Sequence, residues 1–506
     1  MSGKAGSGRA GLRELLADTV VEAGTEVPDI EVTDITSTSS RVTAGALFIA
    51  CRGQRHHGIE FADEAAARGA RAILLEPDAT CTLPALPAGV PTIPVPNLSA
   101  EVGVIADRFF AAPSAQISVT GITGTNGKTT VAWLTSQARR LLGGKSAYMG
   151  TIGYGIGSDL SPSALTTPGV ISVHRRLREL ADKGADSVDM EVSSHALDQG
   201  RLDGVRVRTA AFTNLSRDHL DYHSSFEAYG DAKSKLFTMA SLENAVINAG
   251  DAFGASLAKK CAATVNVIDV GLQDRVAPGV QASLTASVTN TTAAGITLEF
   301  GGEFGAARMQ SPLWGRFNAE NLLVAAGLLL ADGIALPDAV AALERCTAPE
   351  GRMQLINNGP KQPMVIVDFA HTPDALAQVI EVIRQHCSGA VTVVFGCGGE
   401  RDKGKRGEMG SAASRLANRI IVTDDNPRNE DPQAIIDDIL AGIASRSTVE
   451  VERDRAKAIE LAIQGATTGD AVLIAGKGSE RNQLIADAWL PFCDAEVAAS
   501  ILREVS

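Results

Sequence analysis

The sequence predicts an α/β protein of three domains: an N-terminal domain over 1–112, a central parallel-sheet domain over 113–349 and a C-terminal doubly wound, Rossmann-like domain over 350–506. Three observations carry this. The apolar run Gln116-Ile-Ser-Val-Thr120 leads into Gly121-Ile-Thr-Gly-Thr-Asn-Gly-Lys-Thr-Thr130, the pattern of a strand, a glycine-rich turn and a helix start. Beyond Gly351, short apolar runs alternate with helical segments, the rhythm of parallel βαβ units. A chain of 506 residues holds about three domains at roughly 150 residues each.

Each element follows in turn. Met1 to Arg9 lacks the apolar stretch of a targeting signal, and residues 1–10 read as a flexible tail. Ala46–Ala50 and Ala70–Leu75 read as strands, and Glu60–Arg68 as a helix. After Lys128 the apolar positions Val131, Leu134, Ala138 and Leu141 recur at helical spacing, and Gly143-Gly144 stops that helix. Asp186–Glu191 and Arg208–Thr213 read as strands, and the threonine-rich stretch 282–300 as a small antiparallel addition. The ten apolar residues Leu322 to Ala331 are too few to span a bilayer and read as a buried helix. In the last domain the strands are Met364–Asp368, Ala390–Phe395, Arg419–Thr423 and Ala471–Ala475. The polar motifs Asp368-Phe-Ala-His371, Gly396-Cys-Gly-Gly-Glu-Arg401, Asp424-Asp-Asn-Pro-Arg428 and Gly476-Lys-Gly478 fall at their C-terminal ends, where such sheets bind ligands.

Composition narrows the function. Hydrophobic residues at 45% and charged residues at 21% describe a globular protein, and with 4% aromatics its cores must be filled by Ala, Val, Leu and Ile. A net charge of −13 argues against nucleic acid or an anionic membrane as partner. Any phosphate site must then be a local cluster. Seven scattered cysteines without a CxxC pair read as reduced thiols of a cytoplasmic protein.

The phosphate loop is a shortened variant, Gly124-Thr-Asn-Gly-Lys-Thr129, because Ile122 stands where the strict pattern has glycine. Its N–H groups and Lys128 suit the phosphates of a nucleoside triphosphate, and Thr129 suits Mg²⁺. Glu191 follows a strand and can hold Mg²⁺ beside Thr129. The segment Thr213-Asn-Leu-Ser-Arg-Asp-His-Leu-Asp-Tyr-His223 packs two histidines, two aspartates and an arginine into eleven residues, a density that marks a site.

Taken with Glu191-Val-Ser-Ser-His195, Gly315-Arg-Phe-Asn318, Gly351-Arg-Met-Gln354, Asp368–Asp374, Gly396–Arg406 and Asp425-Asn-Pro-Arg428, these motifs resemble the Mur ligase family over nearly the whole chain. The resemblance implies a three-domain Mur ligase architecture and an ATP-dependent amide ligase of bacterial, cytoplasmic peptidoglycan precursor synthesis. Its substrates would be ATP, UDP-MurNAc-L-Ala-D-Glu and meso-diaminopimelate. It would act as a monomer, without nucleic acid or membrane insertion, and close over its substrate. Carried over by motif, Gly124, Thr125, Asn126, Gly127, Lys128, Thr129, Thr130, Asn318, Arg352 and Asp368 would bind ATP. Lys128, Glu191, His219 and Lys233 would be catalytic. Thr129, Glu191, His219 and Lys233 would hold two Mg²⁺, with Lys233 as a CO₂-derived carbamate, since an ammonium repels a cation and a carbamate offers it an anionic oxygen. Thr38, Ser40, Gln54, Arg55 and His56 would meet the UDP-sugar, and Thr166, Thr167, Ser193, Gln199 and Arg201 the muramoyl peptide. Arg401, Asp425, Asn426, Pro427, Arg428, Gly476 and Glu480 would form the diaminopimelate pocket, with an arginine fork on the far carboxylate and Glu480 facing its ammonium.

The chain departs from the family pattern at Ser39, His57, Leu165 and Ser479 and in the tail Phe492–Val497; none of these is a phosphate or metal ligand. The bland alternative for Arg428 is a pairing with Asp424. Rival readings are a lysine-adding Mur ligase, a folylpolyglutamate-type ligase and, from another class, a non-ligating P-loop ATPase.

Overall fold

Both faces of the N-terminal strands are apolar, and the structure covers both. This computed structural model describes residues 8–53, 56–77, 88–219, 222–276, 282–292, 294–356, 362–444 and 449–504. Asp34–Thr36, Ala46–Ala50, Ala72–Leu75 and Thr92–Pro94 form a four-stranded parallel sheet. Leu47, Ile49 and Leu74 face Leu98, Val102 and Ile105 of the helix Leu98–Phe109. Phe48, Ala50 and Ile73 face Ile59, Ala62 and Ala65. That is why Ala46–Ala50 reads as an unbroken apolar run. The helix expected over Glu60–Arg68 is a 3₁₀ turn, Gly58–Phe61, followed by the α-helix Ala62–Ala67. His57 explains the break: its ring accepts from Ile59 N (3.1 Å) while Glu60 accepts from His57 N (2.8 Å), a capping box that starts the segment tightly. The departure at His57 is thus a structural cap.

The chain divides into two compact units. The first comprises Met1–Thr120, Lys145–Arg208 and Met239–Leu242. Besides the N-terminal sheet it holds the parallel pair Ser146–Gly150 and Ser187–Glu191, an antiparallel hairpin, Gly153–Ile156 with Asp159–Ser161, and the helix Val170–Asp182.

The second unit comprises Gly121–Gly144, Thr209–Thr238 and Glu243–Ser506. Asn244–Asn248, Asn266–Leu272 and Leu284–Thr292 run parallel, and Gly295–Gly302 and Ala307–Ser311 continue as an antiparallel meander. The antiparallel addition expected near 282–300 therefore has a further strand. Buried against this sheet, the helix Arg316–Ala331 contains the predicted apolar run and starts six residues before it. A Cβ at Gly327 would lie 2.7 Å from Val246 Cγ1, so glycine permits that close packing.

The last sheet has the order Gln354–Ile356, Met364–Asp368, Ala471–Ala475, Val391–Phe395, Arg419–Val422, Val449–Val451, parallel except for the first strand. Helices cover both faces, the doubly wound arrangement expected. Three parallel strands end next to one another at Asp368, Phe395 and Ala475, so the loops that follow converge. The hairpin Asn482–Ile485 with Ala488–Pro491 carried no clear strand pattern in the sequence. Wholly buried, Arg455 donates twice to Asp494 (2.7 and 2.8 Å) and once to Ala475 O (2.9 Å), fastening the final helix beneath the loop after the third of these strands. No helix of the described residues is long and apolar enough to cross a membrane.

Candidate functional site

The strand Ser118–Thr123 hands over to the helix Lys128–Leu141 through a turn that only glycine fits. Gly124 has φ +146°, and a Cβ there would sit 1.9 Å from Thr213 Oγ1; Gly127 has φ +86°, and its Cβ would sit 2.3 Å from Asn321 Oδ1. Thr213-Asn214 braces the turn, with Thr125 N donating to Asn214 O (2.8 Å) and Asn126 N to Asn214 Oδ1 (2.9 Å). Lys128 Nζ donates to Gly124 O (2.9 Å) and Thr125 O (2.8 Å), so the lysine lies folded over its own loop. We expect Gly127→Ala to cost about 1–3 kcal/mol in stability and to weaken nucleotide binding at least tenfold, read by melting temperature and titration calorimetry.

A cavity of about 280 Å³ opens beside this turn, lined by Asn126, Gly127, Thr130, Asn318, Arg352 and Asp368 among others. Six of the ten predicted ATP residues thus face one space. Arg352 Nη2 donates to Thr129 Oγ1 (3.1 Å), and its guanidinium lies over the Phe369 ring at 4.1 Å. Asp368 accepts from Met353 N and Ala370 N, both at 2.7 Å, and so also holds the Gly351–Gln354 turn; burial pushes its carboxyl up against the opposing pull of Arg352 and these N–H groups. Asn318 bonds Trp314 O (2.8 Å) and Asn321 (3.0 Å).

Lys233 projects from the helix Phe226–Ser234 and is 1% exposed. Its Nζ donates to Gly124 O at 2.8 Å, the carbonyl that Lys128 also uses, and lies 4.3 Å from the centre of the Tyr229 ring. Burial pulls its pKa well below the usual lysine value, and the Lys128 charge adds to this, with Asp218 opposing.

His219, at φ +55°, lies 3.4 Å from Asp218 Oδ2. Asp218 is 3% exposed and also faces His371 (3.6 Å) and Lys405 (3.7 Å). Burial pushes its carboxyl up, but the hydrogen bond from His371 and the charges of His371, His219 and Lys405 hold it well below the usual range. Sequence reading placed Asp218, His371 and Lys405 within motifs but assigned none of them an individual role; their clustering is a long-range fact that spacing does not reveal. Among the described residues no group of three His, Cys, Asp or Glu forms a ready metal cage.

The diaminopimelate candidates also converge. Arg428, at φ +54°, donates to Gly399 O (2.6 Å), and its guanidinium comes within 3.0 Å of the position a Gly398 Cβ would take, with Arg401 Cγ 3.6 Å from that point. Burial lowers the pKa of Arg428, and the like charge of Arg401 lowers it further. Asp424, the suggested partner of Arg428, pairs instead with Arg453 at 3.2 Å. A Cβ at Gly476 (φ +113°) would lie 2.7 Å from Asp425 Oδ2, so the acid and the loop pack tightly. Glu480 Oε2 accepts from Asn426 Nδ2 at 2.9 Å.

In the first unit, Glu191 is 1% exposed and accepts from the Tyr148 hydroxyl and from Thr151 N (2.8 Å). Sequence reading missed Tyr148, which looks like a core aromatic. Thr167 Oγ1 donates to Glu191 O (2.8 Å) and accepts from Ser193 N (3.1 Å). Arg201 bonds Thr167 O (2.7 Å) and Gln199 (2.6 Å), and Thr166 contacts Thr151 (3.0 Å). The five muramoyl-peptide candidates and Glu191 therefore share one network. At the UDP end, Thr38 precedes the turn Ser39–Arg41 that holds Ser40, and exposed His56 contacts Glu60 (3.1 Å). Gln54 and Arg55 lie outside the described residues.

A phosphate loop, a buried lysine beside it and a polar crevice on a doubly wound sheet define a class of nucleotide-dependent ligases, and the comparisons agree. The chain matches the Mur ligase family, catalytic domain, over residues 31–110, the Mur ligase middle domain over 122–329, and the Mur ligase, glutamate ligase domain, over 351–478. It belongs to the Mur ligase family. A relative from Xylella fastidiosa called UDP-N-acetylmuramoyl-L-alanyl-D-glutamate–2,6-diaminopimelate ligase is 45% identical over 478 residues, 94% of this chain and 95% of that protein. The protein of the same name from Alkalilimnicola ehrlichii is 43% identical over 95% of this chain and 96% of its own length. A solved structure of a ligase so named aligns with TM-score 0.68 at 33% identity, covering 98% of this chain and 99% of that one. The fold is also shared, at 16% identity and TM-score 0.61, with MurF ligase from Thermotoga maritima, covering 93% and 97% of the two chains.

Proposed function

We propose that the chain is an ATP-dependent ligase that joins meso-diaminopimelate to the D-glutamate γ-carboxylate of UDP-MurNAc-L-Ala-D-Glu, in the cytoplasm. The observation that carries the choice of amino acid is the convergence of Arg401 and Arg428 beside Gly398 while Asp424 is engaged by Arg453. Arg428 forms no ion pair within 4 Å among the described residues, although Asp425, Glu480 and Glu400 act on it from further away, and with Arg401 nearby it suits a ligand carboxylate. L-Lysine lacks that second carboxylate.

The chemistry follows from what a carboxylate cannot do. It does not react with an amine in neutral water, because oxide is a poor leaving group. Transfer of the ATP γ-phosphoryl group to the carboxylate oxygen gives an acyl phosphate, which the amine attacks with expulsion of phosphate. The loop amides and Lys128 bind and orient the phosphates, and Lys128 offsets charge as the phosphoryl group moves. Asn318, Arg352 and Asp368 line the space for the rest of the nucleotide.

Within the second unit the donors proposed for Mg²⁺ are the Thr129 hydroxyl, the His219 imidazole and Lys233 as a carbamate; Glu191, in the first unit, is proposed as a ligand from its motif. A carbamate on Lys233 would replace a cation-repelling ammonium with an anionic oxygen, and the burial that pulls the pKa of its amine down favours that loss of positive charge. When bound, Mg²⁺ would neutralise phosphate charge. Tyr148 and Thr151 fix the Glu191 carboxylate.

The test is phosphate release with the UDP-muramoyl dipeptide, offered meso-diaminopimelate or L-lysine. Release with the former should far exceed release with the latter, and Arg428→Met should raise KM for meso-diaminopimelate about 100-fold, from the loss of roughly 3 kcal/mol of charged hydrogen bonding. Equal use of both amino acids, or release without either, would contradict the reading.

A further inference from the structure

Lys477 is wholly buried, yet it sits three residues before Glu480 at the edge of the amino-acid pocket. An ammonium withdrawn from water needs each of its three N–H groups bonded. Lys477 meets that demand in full: Nζ donates to Glu480 Oε2 (2.7 Å), Asn426 Oδ1 (3.0 Å) and Asn482 O (2.8 Å). Asn426 Oδ1 also accepts from Leu484 N (2.9 Å), which fixes the amide so that Nδ2 points at Glu480 Oε2 (2.9 Å). One Glu480 oxygen is thereby tied by two donors. The side chain remains 38% exposed, so the carboxylate is anchored by one arm while part of it reaches solvent.

We propose that Lys477 is a positioning residue for amino-acid selection: through Glu480 and Asn426 it sets a carboxylate that takes the distal primary ammonium of a diamino-acid substrate. This rests on the ligase reading above. Lys477 itself is enclosed and does not touch substrate. Its contribution is to orientation: a carboxylate held by a buried ammonium and an amide loses little further freedom when a second ammonium arrives. Arg428 and Arg401 recognise the far carboxylate, so the ammonium and the carboxylate of the distal centre have separate receptors. Arg428 N donates to Leu484 O (3.2 Å), and Leu484 N donates to the Asn426 amide, which ties the two receptors into one frame.

The experiment compares meso-diaminopimelate with L-2-aminopimelate, which keeps the reacting amine and both carboxylates but lacks the distal ammonium. Full-length wild-type enzyme should favour meso-diaminopimelate in kcat/KM by at least tenfold. Lys477→Met should raise KM for meso-diaminopimelate at least tenfold, leave KM for ATP unchanged, and bring the preference over L-2-aminopimelate to near unity. General structural damage would lower use of both acceptors alike and leave the preference intact. Lys477→Gln, which keeps a polar side chain at the site, is the second variant should the methionine fail to fold, and the same loss of preference is expected. Adding Lys477→Met to Glu480→Gln should change the preference no further, because both act through one carboxylate. A wild-type preference retained in the folded Lys477 variants overturns the proposal alone. A wild-type enzyme that uses neither acceptor overturns the ligase reading and the proposal together.

Discussion

Replacing Lys233 by alanine is expected to lower turnover roughly 10³-fold, with partial recovery when acetate or formate is added at high concentration. The expectation rests on where the side chain lies. Lys233 is buried against Gly124 O, the carbonyl that Lys128 also uses, and burial and the Lys128 charge both disfavour a positive charge on it, so removing that charge relieves the site. Carbamate formation does so: the neutral amine attacks CO₂, a proton leaves, and the site gains an anionic oxygen. A small carboxylic acid offers similar oxygens in the space that alanine leaves. Turnover unchanged in Lys233→Ala would remove the carbamate from the account.

The same burial has a consequence for stability. The folded pKa of Lys233 is lowered, so between that value and the unfolded value of about 10.4 the unfolded chain binds more protons. In CO₂-depleted buffer this group therefore makes stability rise with pH through that window and disfavours the fold at neutral pH. Lys233→Met, of similar volume, should remove the slope and melt at a higher temperature at pH 7 while remaining inactive. Melting curves across pH read both effects, and a lower melting temperature with the slope intact would contradict the burial argument.

The second large effect is at Lys128. Lys128→Met should reduce turnover roughly 10²–10³-fold or more, with a smaller loss of nucleotide binding, because the charge matters most as the phosphoryl group moves. Lys128 now bonds Gly124 O and Thr125 O, so nucleotide entry must exchange those two carbonyls for phosphate oxygens. Equal losses in nucleotide affinity and in kcat/KM, with kcat retained, would assign Lys128 to uniform binding alone.

Much of this site was legible in the sequence because its parts are local. The phosphate loop announces itself through glycines whose positions tolerate no Cβ, and the strands Met364–Asp368 and Ala471–Ala475 read correctly because both faces are buried. What could not be read depends on residues distant in the chain. Tyr148 meets Glu191, Asp218 meets His371 and Lys405, and Arg455 meets Asp494 only after folding. Tyr148, Arg455 and Asp494, taken alone, look like an ordinary core aromatic and surface charges, and even for Asp218 and His371, inside marked motifs, the partners are not visible in the spacing. The helix at Glu60 began differently because His57 caps it, a function that composition assigns to Ser, Thr, Asp or Asn.

The central claim is that ATP activates a carboxylate so that an amine can displace phosphate, and the most direct measurement follows one oxygen atom. UDP-MurNAc-L-Ala-D-Glu labelled with ¹⁸O in both γ-carboxylate oxygens is turned over with ATP and meso-diaminopimelate, and the released phosphate is weighed by mass spectrometry. The account predicts one ¹⁸O atom in each phosphate released and one retained in the new amide. Phosphate free of label would mean that water, not the carboxylate, received the phosphoryl group.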